Sequence, residues 1–307
     1  MAVAALDALE RSQVPFSLLH DEERILSHAI QSDVDIVVSS PPRTILSQSL
    51  DALHAINLYP IVINAYDAGG SASVYMATDG AEDGLQLDMY FDPRAVGRLG
   101  LRTNILLANS VQGARWPVVA PEYQAVYLLR KRHWKGDQRK VDLIRQELLR
   151  FDSERVKQAI ESSVKRDVVA SIHRLLQDDR HSFKTPIRNL FADQYRRVER
   201  LRHPVGFWTE IIGADSERVA KNLARLFERV LVTRAGPRPA QPASMARWLV
   251  RDVAPLRWKP GLFVSWSPRI PLTPRADLEL TDVTIPEEDL ARRAVLAMEA
   301  RLRLAQL

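Results

Sequence analysis

The N-terminal third of the chain alternates between short apolar runs and one segment with helical spacing. The predicted strands share a β-branched or alternating apolar pattern, and they cover residues 16–20, 34–39, 59–67, 71–79 and 84–92. Residues 41–57 repeat apolar positions at helical spacing, and Pro42 is tolerated near the start of such a helix. The order of strand, strand, helix and three strands predicts a mixed sheet carrying helices, not a regular βαβ array.

The pattern changes to the helical period at about residue 120. Val141, Ile144 and Leu148 lie on one face of a predicted helix, and similar segments continue to about residue 203. A strand, a turn and a helix are then predicted over 206–230, and a further strand and a closing helix end the sequence. The Pro-rich stretch 234–244 that separates these elements predicts a mobile linker.

These patterns predict an α/β protein with three regions. The regions are an N-terminal mixed-sheet domain at 1–115, a helical domain at 116–203 and a C-terminal α/β domain at 204–307. A protein partner or a homo-oligomer, formed through the helical middle and the C-terminal domain, is a further expectation.

Composition narrows the classes of function. The 307 residues include no cysteine, which excludes disulfides, zinc–thiolate sites and cysteine nucleophiles and suits a reducing cytoplasm. A net charge of +5 favours anionic ligands such as nucleotides or sugar phosphates. No run approaches the length of a membrane span, and the first residues predict a short amphipathic helix rather than a secretory signal. We therefore expect a cytoplasmic protein.

Two aspartates stand at the entrance to the predicted strand 34–39. Side chains alternate along a strand, so Asp33 and Asp35 share a face and repel each other unless a cation or a proton lies between them. Mg²⁺ or Mn²⁺ is the expected cation, because a hard divalent ion prefers oxygen ligands. Asp88 on a later predicted strand is the candidate for a third carboxylate, with Leu87 and Met89 facing the opposite, apolar side. Turn chemistry before a strand is the alternative explanation of the Ser-Asp pair.

The sequence Ser32-Asp33-Val34-Asp35, followed by Asp88, resembles the nucleotidyltransferase fold of the polymerase β type. The resemblance implies that the three aspartates are catalytic and hold Mg²⁺ (or Mn²⁺), with a nucleoside triphosphate as substrate. Members of this family usually carry a Gly-Ser pair upstream, whereas the equivalent stretch here, DEERILSHAIQ, has no glycine.

Phosphate contacts are therefore expected from other residues. Ser32 and Arg24 lie close to the aspartates in the sequence. The resemblance also implies a basic residue from a helix behind the sheet, for which Lys131 and Lys140 in the basic stretch 129–140 are the candidates. A solvated basic face is the alternative for this stretch. Nucleic acid is not an expected ligand, because Trp134 alone offers an aromatic ring within the stretch.

A second resemblance concerns the segment GFWTEIIGADSERVAKNLARLFE. Its strand, turn and helix resemble a P-loop kinase, and the C-terminal stretch resembles the closing strand and helix of thymidylate or adenylyl-sulfate kinases. Counted from Gly213, however, Arg218, Val219 and Ala220 occupy the positions of the glycine, lysine and hydroxyl residue of the phosphate loop. We expect no kinase activity, and a generic strand–helix unit is the alternative.

The order of the three regions resembles bacterial fusion proteins found with polysaccharide genes. Two functions follow from the sequence. The first is a Mg-dependent nucleotidyltransferase that moves a nucleotidyl group from a nucleoside triphosphate to a small hydroxyl or phosphate acceptor. The second is a catalytically inactive, nucleotidyltransferase-like and pseudokinase-like binding or scaffolding protein.

Overall fold

The computed structural model describes residues 1–19, 22–27, 33–65, 69–177, 205–239, 244, 247–248, 260–267, 276–281 and 284–302. In these residues the chain is a mixed α/β protein with one seven-stranded mixed sheet and one four-stranded parallel sheet. The predicted α/β class is therefore confirmed at this level. None of the helices in these ranges combines the length and apolar character that a membrane crossing requires.

The elements follow the predicted order in the N-terminal third, with one additional short helix, α2. The helices are α1 (Ala2–Arg11), α2 (Glu22–Leu26), α3 (Pro42–His54), α4 (Thr103–Ala108), α5 (Pro121–Lys135), α6 (Gln138–Leu148), α7 (Ser153–Ser163), α8 (Arg166–Gln177), α9 (Ser216–Phe227) and α10 (Glu287–Leu302). The strands are β1 (Phe16–Leu18), β2 (Asp33–Val38), β3 (Tyr59–Ala65), β4 (Ala72–Ala77), β5 (Gly84–Tyr90), β6 (Ser110–Gln112), β7 (Pro117–Val119), β8 (Phe207–Ile212), β9 (Val232–Pro237), β10 (Gly261–Ser267) and β11 (Leu278–Leu280).

The seven-stranded sheet has the order β3-β4-β5-β2-β1-β7-β6 and is covered on both faces. Alternation along β2 sends Val34, Ile36 and Val38 to the face that packs against α1 and α3. Val37, between Ile36 and Val38, points to the other face of the sheet. There it lies with Tyr90 and packs against the helices that follow the sheet. Both faces of β2 are buried, and the strand lies in the centre of the sheet, with Asp35 on the same face as Val37.

The predicted boundary at 115/116 is wrong, because the sheet continues across it. Strand β7 pairs with β1 in parallel and with β6 in antiparallel orientation, so the hairpin β6–β7 belongs to the first sheet. Helices α5 to α8 follow this hairpin and extend as far as residue 177. These helices share one hydrophobic core with the sheet face around Val37, so they are not separate from it. Residues 178–204 lie outside the described ranges.

The four parallel strands of the second sheet have the order β11-β8-β10-β9. Helix α9 packs Val219 and Leu223 against Ile211 and Leu262 on one face of this sheet. Part of the predicted linker 234–244 is an edge strand, since residues 232–237 form β9 and pair with β10. The linker prediction is wrong for residues 234–237, and residues 240–243 lie outside the described ranges.

Helix α10 joins the two sheets. Its Leu290 and Ala294 belong to the same apolar cluster as Val62 and Ala77 of the first sheet. Arg43 donates to the carbonyl oxygen of Leu302 at 2.7 Å. A ring nitrogen of His54 and a carboxylate oxygen of Glu299 are 2.6 Å apart. The C-terminal helix therefore covers the outer strand β3 and places the second sheet beside the first.

Candidate functional site

A row of buried polar side chains crosses four neighbouring strands of the first sheet. The backbone registers place Asn64 opposite Ser73, Ser73 opposite Asp88, and Asp88 opposite Asp35. All four residues are buried. Buried polar side chains are costly unless they are paired, so such a row in a sheet interior is a candidate for a functional site.

The period of the strands explains why the row exists. Asp35 and Asp88 sit at matching positions of the parallel pair β2–β5, and neighbouring strands are about 5 Å apart. Leu87 and Met89 face the opposite side and lie in the core with α1 and α3, as predicted. Asp33 lies one pair further along, opposite Gln86, and is exposed. The two buried carboxylates are therefore close to each other, and Asp33 lies at the mouth of the site.

Each buried carboxylate has specific partners. One oxygen of Asp88 accepts hydrogen bonds from the Ser73 hydroxyl and from the Gln86 side-chain amide, both at 2.8 Å. Asp35 forms a buried ion pair with the ammonium group of Lys131, which comes from α5. This position of Lys131 is consistent with a prediction from the sequence, namely that a helix behind the sheet brings a basic residue towards the aspartates.

Other charged and aromatic groups share the electrostatic field of the site. Partial burial and the positive charge of Lys131 lower the pKa of Lys135, and the charges of Asp35 and Asp88 partly oppose that effect. Burial, followed by the negative charge of the same two aspartates, holds the pKa of Tyr90 well above its ordinary value. Lys135 is therefore close enough to sense the carboxylates, and Tyr90 stays a neutral phenol beside them.

Several residues of the site were not singled out from the sequence. Ser73, on the neighbouring strand β4, and Gln86, two residues before Asp88 on β5, both bind Asp88. Arg98, in the connection between β5 and α4, stacks its guanidinium carbon 4.0 Å from the ring centre of Trp134. Strand alternation could have identified Gln86, because it shares a face with Asp88. Strand register, which locates Ser73, and loop position, which locates Arg98, are not contained in a local pattern.

Of the remaining predicted residues, two lie on helices and one lies outside the described residues. Lys140 lies at the start of α6 and forms an ion pair with Asp137 at 3.6 Å. Arg24 is exposed on the short helix α2. Ser32, together with His20 and His28, lies outside the described residues.

The carboxylates of the site can be compared with the ligands that Mg²⁺ prefers. No group of three or more acidic or histidine side chains in the described ranges is arranged to hold a metal ion. Mg²⁺, however, is usually bound by one or two carboxylates together with waters and substrate phosphates. Asp35 and Asp88 supply two such carboxylates in register. Their chemistry fits this mode of binding, in which waters and substrate phosphates complete the coordination.

The turn at Gly213 differs from a phosphate loop. Strand β8 ends at residue 212 and α9 begins at residue 216, so only residues 213–215 connect them. Val219 and Ala220 are buried in the core under the second sheet. Arg218 donates to Glu287 at 3.3 Å. Val219 and Ala220, which occupy the lysine and hydroxyl positions of the P-loop pattern, are therefore inside a helix and face the protein interior.

Comparisons with known proteins give no match to this chain, either among family models or among curated proteins.

Proposed function

We propose that the chain is a Mg-dependent nucleotidyltransferase with a polymerase β-type N-terminal fold. It would move a nucleotidyl group from a nucleoside triphosphate to a small hydroxyl or phosphate acceptor. The observation that carries this proposal is the buried pair Asp35–Asp88, in register on parallel strands, with Lys131 directed at it from α5. Two like charges held together in a sheet interior are typical of a catalytic site.

The protein groups have defined roles in this proposal. Asp35 and Asp88 would hold Mg²⁺ (or Mn²⁺), and Asp33 at the mouth would add a further carboxylate oxygen. When bound, the metal neutralises charge on the reacting phosphates. Ser73 and Gln86 orient Asp88, because both donate to the same oxygen. Lys131 balances the charge of Asp35 in the buried site.

The transfer itself requires an acceptor oxygen aligned with the α-phosphorus. The new bond joins these two atoms, the bond to the β-phosphate bridging oxygen breaks, and pyrophosphate leaves with its electron pair. A carboxylate of the site takes the acceptor proton. A cavity of about 600 Å³ between Tyr75 and residues 228–233 offers space for a small acceptor. Tyr75, which pairs with Gln86, is the lining residue that connects this cavity to the carboxylate face of the sheet, and the aspartates themselves do not line it.

The test is a titration of the full chain with Mg²⁺ or Mn²⁺ and each nucleoside triphosphate by calorimetry. The wild type should bind the metal–nucleotide complex, whereas Asp33→Asn with Asp35→Asn should not. Asp88→Asn should lose metal-dependent binding as well. Asp83→Asn is the matched control, because Asp83 is exposed one residue before β5 begins. Equal binding by the wild type and the aspartate variants would contradict the proposal.

A second candidate is a binding or scaffolding protein without catalysis. The ion pair between Lys131 and Asp35 favours it, because a protein cation already neutralises one of the two buried carboxylates. The inward position of Val219 and Ala220 agrees with a degenerate kinase-like unit at the C-terminal end. Under this candidate, nucleotide binding is absent or independent of divalent metal, so the same titration separates the two functions.

A further inference from the structure

The second sheet has an aromatic cluster on the face that lies opposite α9. Neighbouring residues of a strand point to opposite faces. Leu262 of β10 packs with α9, whereas Phe263 belongs to a separate cluster with Trp208 and Trp248. The face away from α9 is therefore aromatic at this point of the sheet.

Hydrogen bonding and ring packing hold this cluster in one arrangement. Trp208 Nε1 donates to the hydroxyl of Ser265 at 2.8 Å. The Trp248 ring meets the Trp208 and Phe263 rings edge to face, with 5.4 Å and 5.3 Å between the ring centres. All three aromatic residues are buried. Because each ring is fixed by its neighbours, the cluster forms a preorganised wall.

A cavity of about 530 Å³ lies beside this wall, and we call it the β9 cavity. It follows the edge strand β9 from Arg234 to just beyond the end of the strand, and Trp248 and Phe263 also line it. Small-molecule sites have volumes of about 300–1,000 Å³, so the cavity has the size of one small ligand. A Cβ built at Gly236, another lining residue, would be 3.8 Å from a ring carbon of Phe263. The glycine therefore leaves space beside the ring that a larger side chain would fill.

The charge of the β9 cavity is positive. Arg234 and Arg247 line it and are exposed, and none of its other described lining residues is acidic. In the part of the chain that the structure describes, neither guanidinium group is paired with a carboxylate, whereas Arg238 is paired with Glu210. The sequence from 234 to 259 contains six basic residues and one acidic residue, so its net charge equals the +5 of the whole chain. An anion is therefore the ligand that this cavity attracts.

We propose that the β9 cavity binds a small organic phosphate with a flat apolar part. Arg234 and Arg247 bind the phosphate oxygens, because a guanidinium group presents a planar fork of donors that matches them. A phosphate monoester carries close to two negative charges at pH 7, which two arginines balance. Trp248 and Phe263 contact the flat part of the ligand. The cavity is separate from the carboxylates of the first sheet, so the inference does not rest on the proposed function.

The test is calorimetry on the full chain with two probes, phenyl phosphate and inorganic phosphate, in a buffer that contains a metal chelator. The wild type should bind phenyl phosphate about tenfold more tightly than inorganic phosphate, because the ring adds apolar contact. Arg234→Ala and Arg247→Ala should each weaken phenyl phosphate binding about tenfold, because each removes a charged donor.

Two further variants separate the cavity from general charge attraction. Gly236→Val keeps the charge and fills the space beside Phe263, so it should weaken phenyl phosphate binding by more than tenfold. Valine suits a strand, and its Cβ makes an ordinary van der Waals contact there. Arg225→Ala is the matched control and should bind as the wild type does, because Arg225 is an exposed arginine of α9, which packs on the opposite face of the sheet.

The inference is overturned if the wild type binds phenyl phosphate no more tightly than inorganic phosphate, or binds neither probe at millimolar concentration. It is also overturned if both arginine variants or Gly236→Val bind phenyl phosphate as the wild type does, or if Arg225→Ala loses as much affinity as they do. Circular dichroism of each variant checks that it is folded. Asp35→Asn with Asp88→Asn should bind phenyl phosphate as the wild type does, so a failure of the proposed function leaves this result unchanged.

Discussion

The second sheet contains a buried ion pair whose removal has a calculable cost. Glu210, in the middle of β8, has a side chain that is 0% exposed, and the Arg238 side chain that binds it is 2% exposed. Glu279 is opposite Glu210 on β11. One oxygen of Glu210 and one of Glu279 are buried without a hydrogen-bond partner. Among the described residues, Arg238 is the cation that pairs with Glu210, and the nearby charge of Glu279 makes that compensation more important.

Replacing Arg238 by methionine removes that compensation and keeps most of the side-chain volume. An uncompensated buried charge costs about 3–5 kcal/mol, and we expect Arg238→Met to lower the free energy of unfolding by this amount. Arg238→Met combined with Glu210→Met removes both charges of the pair and also the repulsion between Glu210 and Glu279. The double variant should be close to wild type or more stable by roughly 1–4 kcal/mol.

The loss of unfolding free energy caused by Arg238→Met should depend on pH. Burial raises the pKa of Glu210, Arg238 opposes this, and the charge of Glu279 adds to the increase. A carboxyl group with a raised pKa in the folded state stabilises the fold below its unfolded pKa, and this contribution is lost as pH rises through the folded pKa. Without Arg238 the pKa of Glu210 rises further. Arg238→Met should therefore lose less stability at about pH 5 than at about pH 8.

Urea unfolding followed by circular dichroism at both pH values measures these free energies. A loss below about 1 kcal/mol for Arg238→Met would refute the reasoning, because the pair would then be solvated. So would a double variant as unstable as the single one, since the cost would come from packing rather than charge. An equal loss at both pH values would contradict the titration argument.

Two further predictions concern packing and a surface carboxylate. A Cβ added at Gly84 would lie 2.5 Å from a methyl carbon of Val230, so Gly84→Ala should cost about 1–3 kcal/mol in thermal unfolding. In a Val230→Ala background this cost should be smaller but not abolished, because the Cβ of residue 230, at 2.9 Å, remains. Partial burial opposes ionisation of Glu22, but three backbone N–H groups of residues 114–116 outweigh it and lower its pKa. Glu22→Gln should therefore cost about 1 kcal/mol at pH 7, and a pH series of urea midpoints should show this cost disappearing as pH falls through the lowered pKa.

Local sequence was sufficient to predict most of the elements. Alternation in 33–38 and 84–90 sends aspartates to one face and apolar residues to the other, and this depends only on the period of a strand. The linker prediction failed at 234–237 for an equally physical reason. Gly236 and Pro237 indicate a loop when read locally, but a strand at the edge of a sheet tolerates proline, and β9 is such a strand.

What the sequence by itself determined is therefore which side chains share a face: Asp33 with Asp35, and Asp88 away from Leu87 and Met89. Only the tertiary structure decided that β2 pairs with β5 in the register that sets Asp35 beside Asp88. It also decided that Lys131, 96 residues further along the chain, reaches Asp35, whereas Lys140 does not contact it in the described ranges. Strand pairing and helix docking depend on burial of distant apolar surfaces against each other, and no local period contains that information.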